Sequence, residues 1–121
     1  SLSRLSGDNF RVYSGDDSLT LPMMALGAYG VVSVASHVVG RHIREMINSY
    51  YDGDIVKALD IHQYLFPIFK GLFIVSNPIP VKEALNIMGM QVGGFRPPLT
   101  NLPPKEKEYV EGLVKQYVPG K

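Results

Sequence analysis

Two short β-favouring runs, Phe10-Arg11-Val12-Tyr13 and Val31-Val32-Ser33-Val34, are separated by a stretch with the marks of a helix. After His37 the apolar spacing turns helical and stays so. The interval between the runs is too long for a hairpin and suits the crossover that joins parallel neighbours. Two strands make no stable sheet by themselves, and a parallel pair needs both faces covered and its edges managed. The pair therefore reads as core strands of a larger parallel sheet. The chain reads in turn as the C-terminal part of a bigger α/β protein.

The local signals agree. Ser14-Gly15 ends the first run, and Asp16 or Asp17 is placed to cap a helix over 18–26. Gly27 is a natural stop for it. Pro22 removes a backbone donor, so the first half of that helix is expected to be distorted. Val31–Val34 is short, continuous and β-branched, as in a buried strand. Ile43, Met46, Ile47 and Tyr50 give a helix over 39–51, and Asp52-Gly53-Asp54 a turn with a cap. The next helix starts at Ile55 and carries Ala58, Leu59, His62, Leu65 and Phe66, with a kink expected at Pro67. Asn77-Pro78 must be non-helical, whereas Pro80 suits a first helical turn. Val81, Ala84, Leu85 and Met88 share one face that Gly89 closes. An extended connector over 95–104 leads to a last amphipathic helix with Tyr109, Val110, Leu113, Val114 and Tyr117. The best fit is a (β/α)8 barrel of about 250 residues or more. Residues 1–51 would hold its last two β/α units and residues 52–121 a C-terminal helical extension.

Composition narrows the function. The 121 residues suffice for one domain with a core, and 45% apolar with 19% charged content is globular. Net charge is +1 with lysines and arginines scattered, which argues against a nucleic-acid partner. The absence of cysteine excludes disulfides and thiolate metal sites and fits a cytoplasmic protein. Ser1–Leu5 is too polar for a signal peptide. The longest apolar stretch, Leu65–Val75, is interrupted by Lys70 and is shorter than the ~18–20 residues that span a bilayer.

Several residues invite a chemical reading. Asp16-Asp17 could be an acid/base pair, since neighbouring carboxylates can split their pKa values. Sequence neighbours tend to point apart, however, and the plainer reading is a helix cap on a polar rim. His37, His42 and Glu45 lack a zinc-binding pattern and a third ligand, so no metal site is expected. His62 lies on an apolar helix side and reads as a core or interface histidine. Lys82 falls in a helix's first turn rather than in a desolvated pocket, which disfavours it as a nucleophile. Gly27-Ala28-Tyr29-Gly30 lacks the ending of a phosphate loop. Met23-Met24 and the Phe66/Phe69/Phe73 set read as core or subunit interface.

Gly15-Asp16-Asp17, Leu21-Pro22, Gly27-x-x-Gly30-Val31-Val32-Ser33-Val34, Asn77-Pro78-Ile79-Pro80-Val81-Lys82 and Arg96-Pro97-Pro98-Leu99 resemble the dihydrodipicolinate synthase family in order and spacing, across nearly the whole chain. The first and third motifs are shared with N-acetylneuraminate lyase and other pyruvate aldolases, including keto-sugar-acid aldolases. Asn-Pro-Ile-Pro-Val-Lys points more narrowly to the enzyme of lysine and diaminopimelate biosynthesis.

The resemblance implies a TIM-barrel lyase without organic cofactor, usually a homotetramer. Pyruvate forms a Schiff base with a barrel lysine, and the enamine attacks L-aspartate 4-semialdehyde. That lysine belongs to a strand upstream of Ser1, so no catalytic residue is expected in this segment. The resemblance carries three substrate-site residues onto it. Gly15 and Asp16 stand at the end of the seventh strand. Val32, on the eighth, presents a main-chain carbonyl to pyruvate and the lysine. Gly15 would permit a tight turn and close backbone approach. A non-catalytic helical interaction module derived from such a barrel is the reading from a different class.

Overall fold

The computed structural model of the chain describes residues 10–120. The polar stretch Ser1–Leu5 lies outside the described residues. In chain order the elements are β1 (Tyr13–Ser14), a 3-10 turn (Asp17–Leu19), α1 (Thr20–Ala25), β2 (Gly30–Val31), α2 (Ser36–Tyr51), α3 (Ile55–Gly71), α4 (Ile79–Ile87) and α5 (Pro104–Tyr117). They fall into two compact units. The first comprises the described residues to Ser33 with Arg41–Phe66, and the second Val34–Gly40 with the described residues from Pro67 onward.

In the first unit β1 and β2 pair in parallel, Tyr13 opposite Gly30 and Ser14 opposite Val31. The Tyr29 N–H bonds to the Val12 carbonyl at 2.7 Å and the Val32 N–H to the Ser14 carbonyl at 2.8 Å, which lengthens the ladder at both ends. The crossover expected from the sequence is present. The strand limits differ: 13–14 and 30–31 stand where 10–13 and 31–34 were expected. β-propensity marks side chains suited to a pleated surface, but the ladder forms only where a partner backbone lies alongside. The expected burial of Val31–Val34 is also corrected, since Val32 is 72% exposed. Among the described residues the sheet has only these two strands.

The crossover begins at Asp16, whose extended backbone and carboxylate cap the 3-10 turn. This turn is the distorted first half expected from Pro22. Pro22 itself is the third residue of α1, where backbone N–H groups have no partner within the helix. Gly27, at φ 100°, closes α1. Its N–H bonds to the Met24 carbonyl and that of Ala28 to the Met23 carbonyl, both at 2.9 Å, a Schellman motif. Gly53 ends α2 the same way, with the Asp54 N–H on the Ser49 carbonyl at 2.9 Å. Asp54 then caps α3 through the Lys57 N–H at 3.1 Å.

Leu21, Met46 and Ala58 form the buried centre of this unit, flanked by Ile47, Tyr50 and Ile61. Tyr50 and Tyr51 hydroxyls donate to the Met24 and Tyr29 carbonyls at 3.2 and 2.6 Å. Together these contacts fix α1 and the start of β2 against α2. Glu45 and Lys57 pair at 2.9 Å on the exposed side, and this bond holds the Glu45 carboxyl below its ordinary range. His62 sits edge-on to Phe66, ring centroids 5.9 Å apart. Burial pushes its imidazole below the ordinary value. The unfolded chain therefore binds that proton more readily, and stability falls as pH drops through the unfolded value of about 6.5. Thermal melts of His62→Gln are expected to lose less between about pH 7 and pH 5.5 than those of the parent.

In the second unit α2 starts three residues earlier than expected. A tight turn, with the Val38 N–H on the Ala35 carbonyl at 2.9 Å, leads into it. Helical geometry breaks at Val39 (φ −120°, ψ 30°), where both Ala35 and Val39 are buried. Pro67 lies inside α3 and does not end it. α3 finishes against α5: a Cβ added at Gly71 would stand 2.3 Å from Leu113 Cδ1 and 3.1 Å from Tyr109 Cε1. Ile79, Val81 and Ala84 of α4 are buried, as are Val110, Leu113, Val114 and Tyr117 of α5. Glu83 and Lys107 bridge these two helices at 3.1 Å. Gly89 closes α4 by the same motif as Gly27, and Pro104 opens α5. Between them runs a connector without helix or strand; the extended course expected over 95–104 is interrupted by a turn at Pro97-Pro98, where the Leu99 N–H bonds to the Arg96 carbonyl at 3.0 Å.

Candidate functional site

The C-terminal ends of the two parallel strands carry a dense polar network. Ser14 closes β1 and is fully buried. Its hydroxyl donates to the Asp16 carbonyl at 2.7 Å and accepts from the Asp16 N–H at 3.1 Å. These two bonds fold the chain tightly around Gly15. Gly15 has no left-handed φ, and a Cβ there would meet nothing within 4 Å. Among the described residues, then, neither backbone geometry nor crowding requires glycine at that turn.

Asp16 and Asp17 take different environments. Asp16 is exposed, and its Oδ1 accepts from the Ser18 N–H at 2.8 Å and the Ser18 hydroxyl at 2.7 Å. Asp17 is 1% exposed, accepts from the Ser33 hydroxyl, and receives the Thr20 hydroxyl on its carbonyl at 2.8 Å. Asp16 bonds to Ser18 and Asp17 to Ser33, which favours the cap over a shared-proton pair. Asp16→Ala removes two acceptor contacts at the start of the crossover and is expected to cost about 0.5–2 kcal/mol. Asp16→Asn keeps the acceptor oxygen and should lose much less. Denaturant titration of both variants checks this.

Val32 follows directly on β2. Its side chain is exposed, and its N–H is held by the Ser14 carbonyl. Gly15, Asp16 and Val32 thus all lie at the same strand ends. The sequence reading missed Ser14 and Ser33, the hydroxyls that tie this corner together. The available signal was one serine within Val31-Val32-Ser33-Val34, an otherwise apolar run.

The other candidates disperse. The His42 ring lies tilted against Tyr64, centroids 5.9 Å apart, while Glu45 pairs with Lys57. No group of three or more His, Cys, Asp or Glu among the described residues is arranged to hold a metal ion. The Lys82 ammonium donates to the Gly94 carbonyl and lies 5.2 Å over the Phe95 ring, a structural engagement. No described helix is long and apolar enough to cross a membrane.

The sequence profile of the dihydrodipicolinate synthetase family matches residues 1–117. A 4-hydroxy-tetrahydrodipicolinate synthase of Desulforamulus reducens is 52% identical over 113 residues, covering 93% of this chain and 38% of that protein. One from Microcystis aeruginosa is 57% identical over 108 residues, covering 89% and 35%. The crystal structure of dihydrodipicolinate synthase from Aquifex aeolicus superposes with a TM-score of 0.91 at 48% identity, over 96% of this chain and 40% of its own. The chain thus spans well under half the length of the relatives it matches. The resemblance carried by the Gly-Asp-Asp, Gly-Val-x-Ser-Val and Asn-Pro-Ile-Pro-Val-Lys motifs is borne out, and this chain belongs to the dihydrodipicolinate synthetase family.

Proposed function

We propose that this chain is the C-terminal segment of a 4-hydroxy-tetrahydrodipicolinate synthase, a class I aldolase that condenses pyruvate with L-aspartate 4-semialdehyde. The observation that carries the reading is the corner formed by Gly15, Asp16 and Val32 at the C-terminal ends of a parallel pair. In (β/α)8 enzymes the active site occupies that end of the strands. The pair would supply the seventh and eighth barrel strands, with residues 52–121 as the helical extension. The remaining strands would come from the N-terminal part of the same protein.

The chemistry starts with a lysine amine contributed by that N-terminal part. Its nitrogen adds to the pyruvate ketone and water leaves, giving the C=N bond of a Schiff base. Loss of a methyl proton gives the enamine, whose carbon forms the new C–C bond with the aldehyde. The aldehyde oxygen takes up a proton. The substrate's own amine then displaces the lysine as the ring closes, returning the enzyme. A lysine is an effective nucleophile when its amine is desolvated and directed. The main-chain carbonyl of Val32 serves that direction, while Gly15 and Asp16 line the rim of the pocket. No metal or organic cofactor enters the reaction, and a cytoplasmic homotetramer is the proposed assembly.

The test is borohydride reduction of the full-length enzyme in the presence of pyruvate, followed by intact-mass and peptide analysis. The expected adduct adds pyruvic acid less one oxygen and maps outside residues 1–121. Condensation with L-aspartate 4-semialdehyde, and none with a sugar aldehyde, completes the assignment. An adduct on Lys82, or none at all, would overturn it.

A further inference from the structure

We propose that Asp17 and Ser33 are positioning residues that set the Val32 carbonyl, a role that rests on the aldolase reading above. The peptide unit carrying that carbonyl is a rigid plane running from Val32 Cα to Ser33 Cα, so its direction is set by what holds its two ends. The Val32 Cα is placed through the preceding peptide, whose Val32 N–H bonds to the Ser14 carbonyl at 2.8 Å. The other end is held at Ser33, whose hydroxyl bonds to the Asp17 carboxylate across sixteen residues of sequence. Asp17 is itself 1% exposed and cannot follow solvent. Its backbone is fixed in turn by the Thr20 hydroxyl on its carbonyl at 2.8 Å. One anchor is the last residue of β1 and the other lies in the turn that follows it. The carbonyl offered by one strand end is therefore aimed by its neighbour and the turn after it.

β2 supplies no such hold by itself. The strand ends at Val31, its last ladder bond is at the Val32 N–H, and Ser33 lies beyond both. The Asp17 bond is a restraint on Ser33 from outside the strand pair, so losing it relaxes the ψ angle of Val32 while the pair itself stays intact. Misplacement by about 1 Å at a reacting centre can cost about a hundredfold in rate. A structural polar contact, by contrast, would alter stability alone.

The experiment compares Ser33→Ala, Ser33→Thr, Asp17→Ala and the double variant Asp17→Ala/Ser33→Ala in the full-length enzyme. The readouts are the single-turnover rate of pyruvate trapping by borohydride, kcat and KM for the aldehyde, and thermal midpoints. Ser33→Ala is expected to slow trapping and kcat by about tenfold or more, with KM for the aldehyde changed less than about twofold. Ser33→Thr, which keeps the hydroxyl, should restore most of the rate. The double variant should be no slower than Asp17→Ala, because the two residues act as one unit. If Asp17→Ala does not fold, the Ser33 pair decides alone. Trapping by folded Ser33→Ala at the parent rate, whatever its melting point, overturns the proposal. Absence of any pyruvate adduct in the parent enzyme instead overturns the aldolase reading, and this proposal with it.

Discussion

Met46→Ala is expected to lower stability by about 2–5 kcal/mol, the range for truncating a buried Met or Leu in a packed core. Met46 has no exposed surface and meets Leu21 and Ala58 at the centre of the first unit. Alanine there leaves a void lined by Leu21, and Leu21 is the second residue of α1, directly after the capped turn at Asp16. The loss should therefore reach the strand-end corner as well as the melting point. Met46→Leu nearly conserves volume and should cost less than about 1.5 kcal/mol. Denaturant titration of the three proteins, with m-values checked for constancy, distinguishes a packing loss from a change of unfolding mechanism. A cost below about 1 kcal/mol for alanine would mean that the neighbours collapse into the space.

Gly71→Val is the second large effect, and it acts by crowding. A Cβ at residue 71 falls 2.3 Å from Leu113 Cδ1, with the Tyr109 ring and hydroxyl at 3.1 and 3.2 Å. Leu113 is buried, so moving its Cδ1 aside displaces close-packed neighbours. Overpacking of this kind costs about 1–3 kcal/mol and sometimes more. Valine should lie at the upper end, because its branch points add to the Cβ clash. Gly71→Ala should cost less, since alanine also restricts the unfolded chain by about 0.4–1 kcal/mol in the opposite direction. Combining Gly71→Ala with Leu113→Ala gives the decisive comparison. The double variant should be more stable than the sum of the two single losses predicts, because each change removes what the other crowds or vacates.

The parts of this fold that were legible in the sequence are those fixed by a few neighbouring residues. Gly27, Gly53 and Gly89 stop their helices because each takes a positive φ that other residues resist, and the motif closes within six residues. Asp16 was readable as a cap for the same reason. Strand limits were not, since the ladder depends on a backbone sixteen or so residues away. The early start of α2 and its break at Val39 depend on burial of Ala35 and Val39, which spacing alone does not reveal. At the site, the family motifs pointed to Gly15, Asp16 and Val32. The Asp17–Ser33 bond joins residues far apart in sequence, and a serine in a valine run carries no mark of its partner.

The connector between α4 and α5 shows a different kind of constraint. Lys82 and Asn86, one helical turn apart on α4, hold the carbonyls of Gly94 and Gly93, the latter at 3.0 Å. Carbonyl oxygens are common to every residue, so this clasp measures chain length and is nearly blind to spelling. Gly94 has neither a positive φ nor a neighbour within 4 Å of an added Cβ, and Gly94→Ala should pass unnoticed. Gly93, at φ 78°, has less latitude. One inserted residue between Met90 and Gly93 would shift both carbonyls by up to about 3.3–3.6 Å, farther than a hydrogen bond stretches. Here the protein behaves like a ruler: it tolerates new letters in most places but not an extra one.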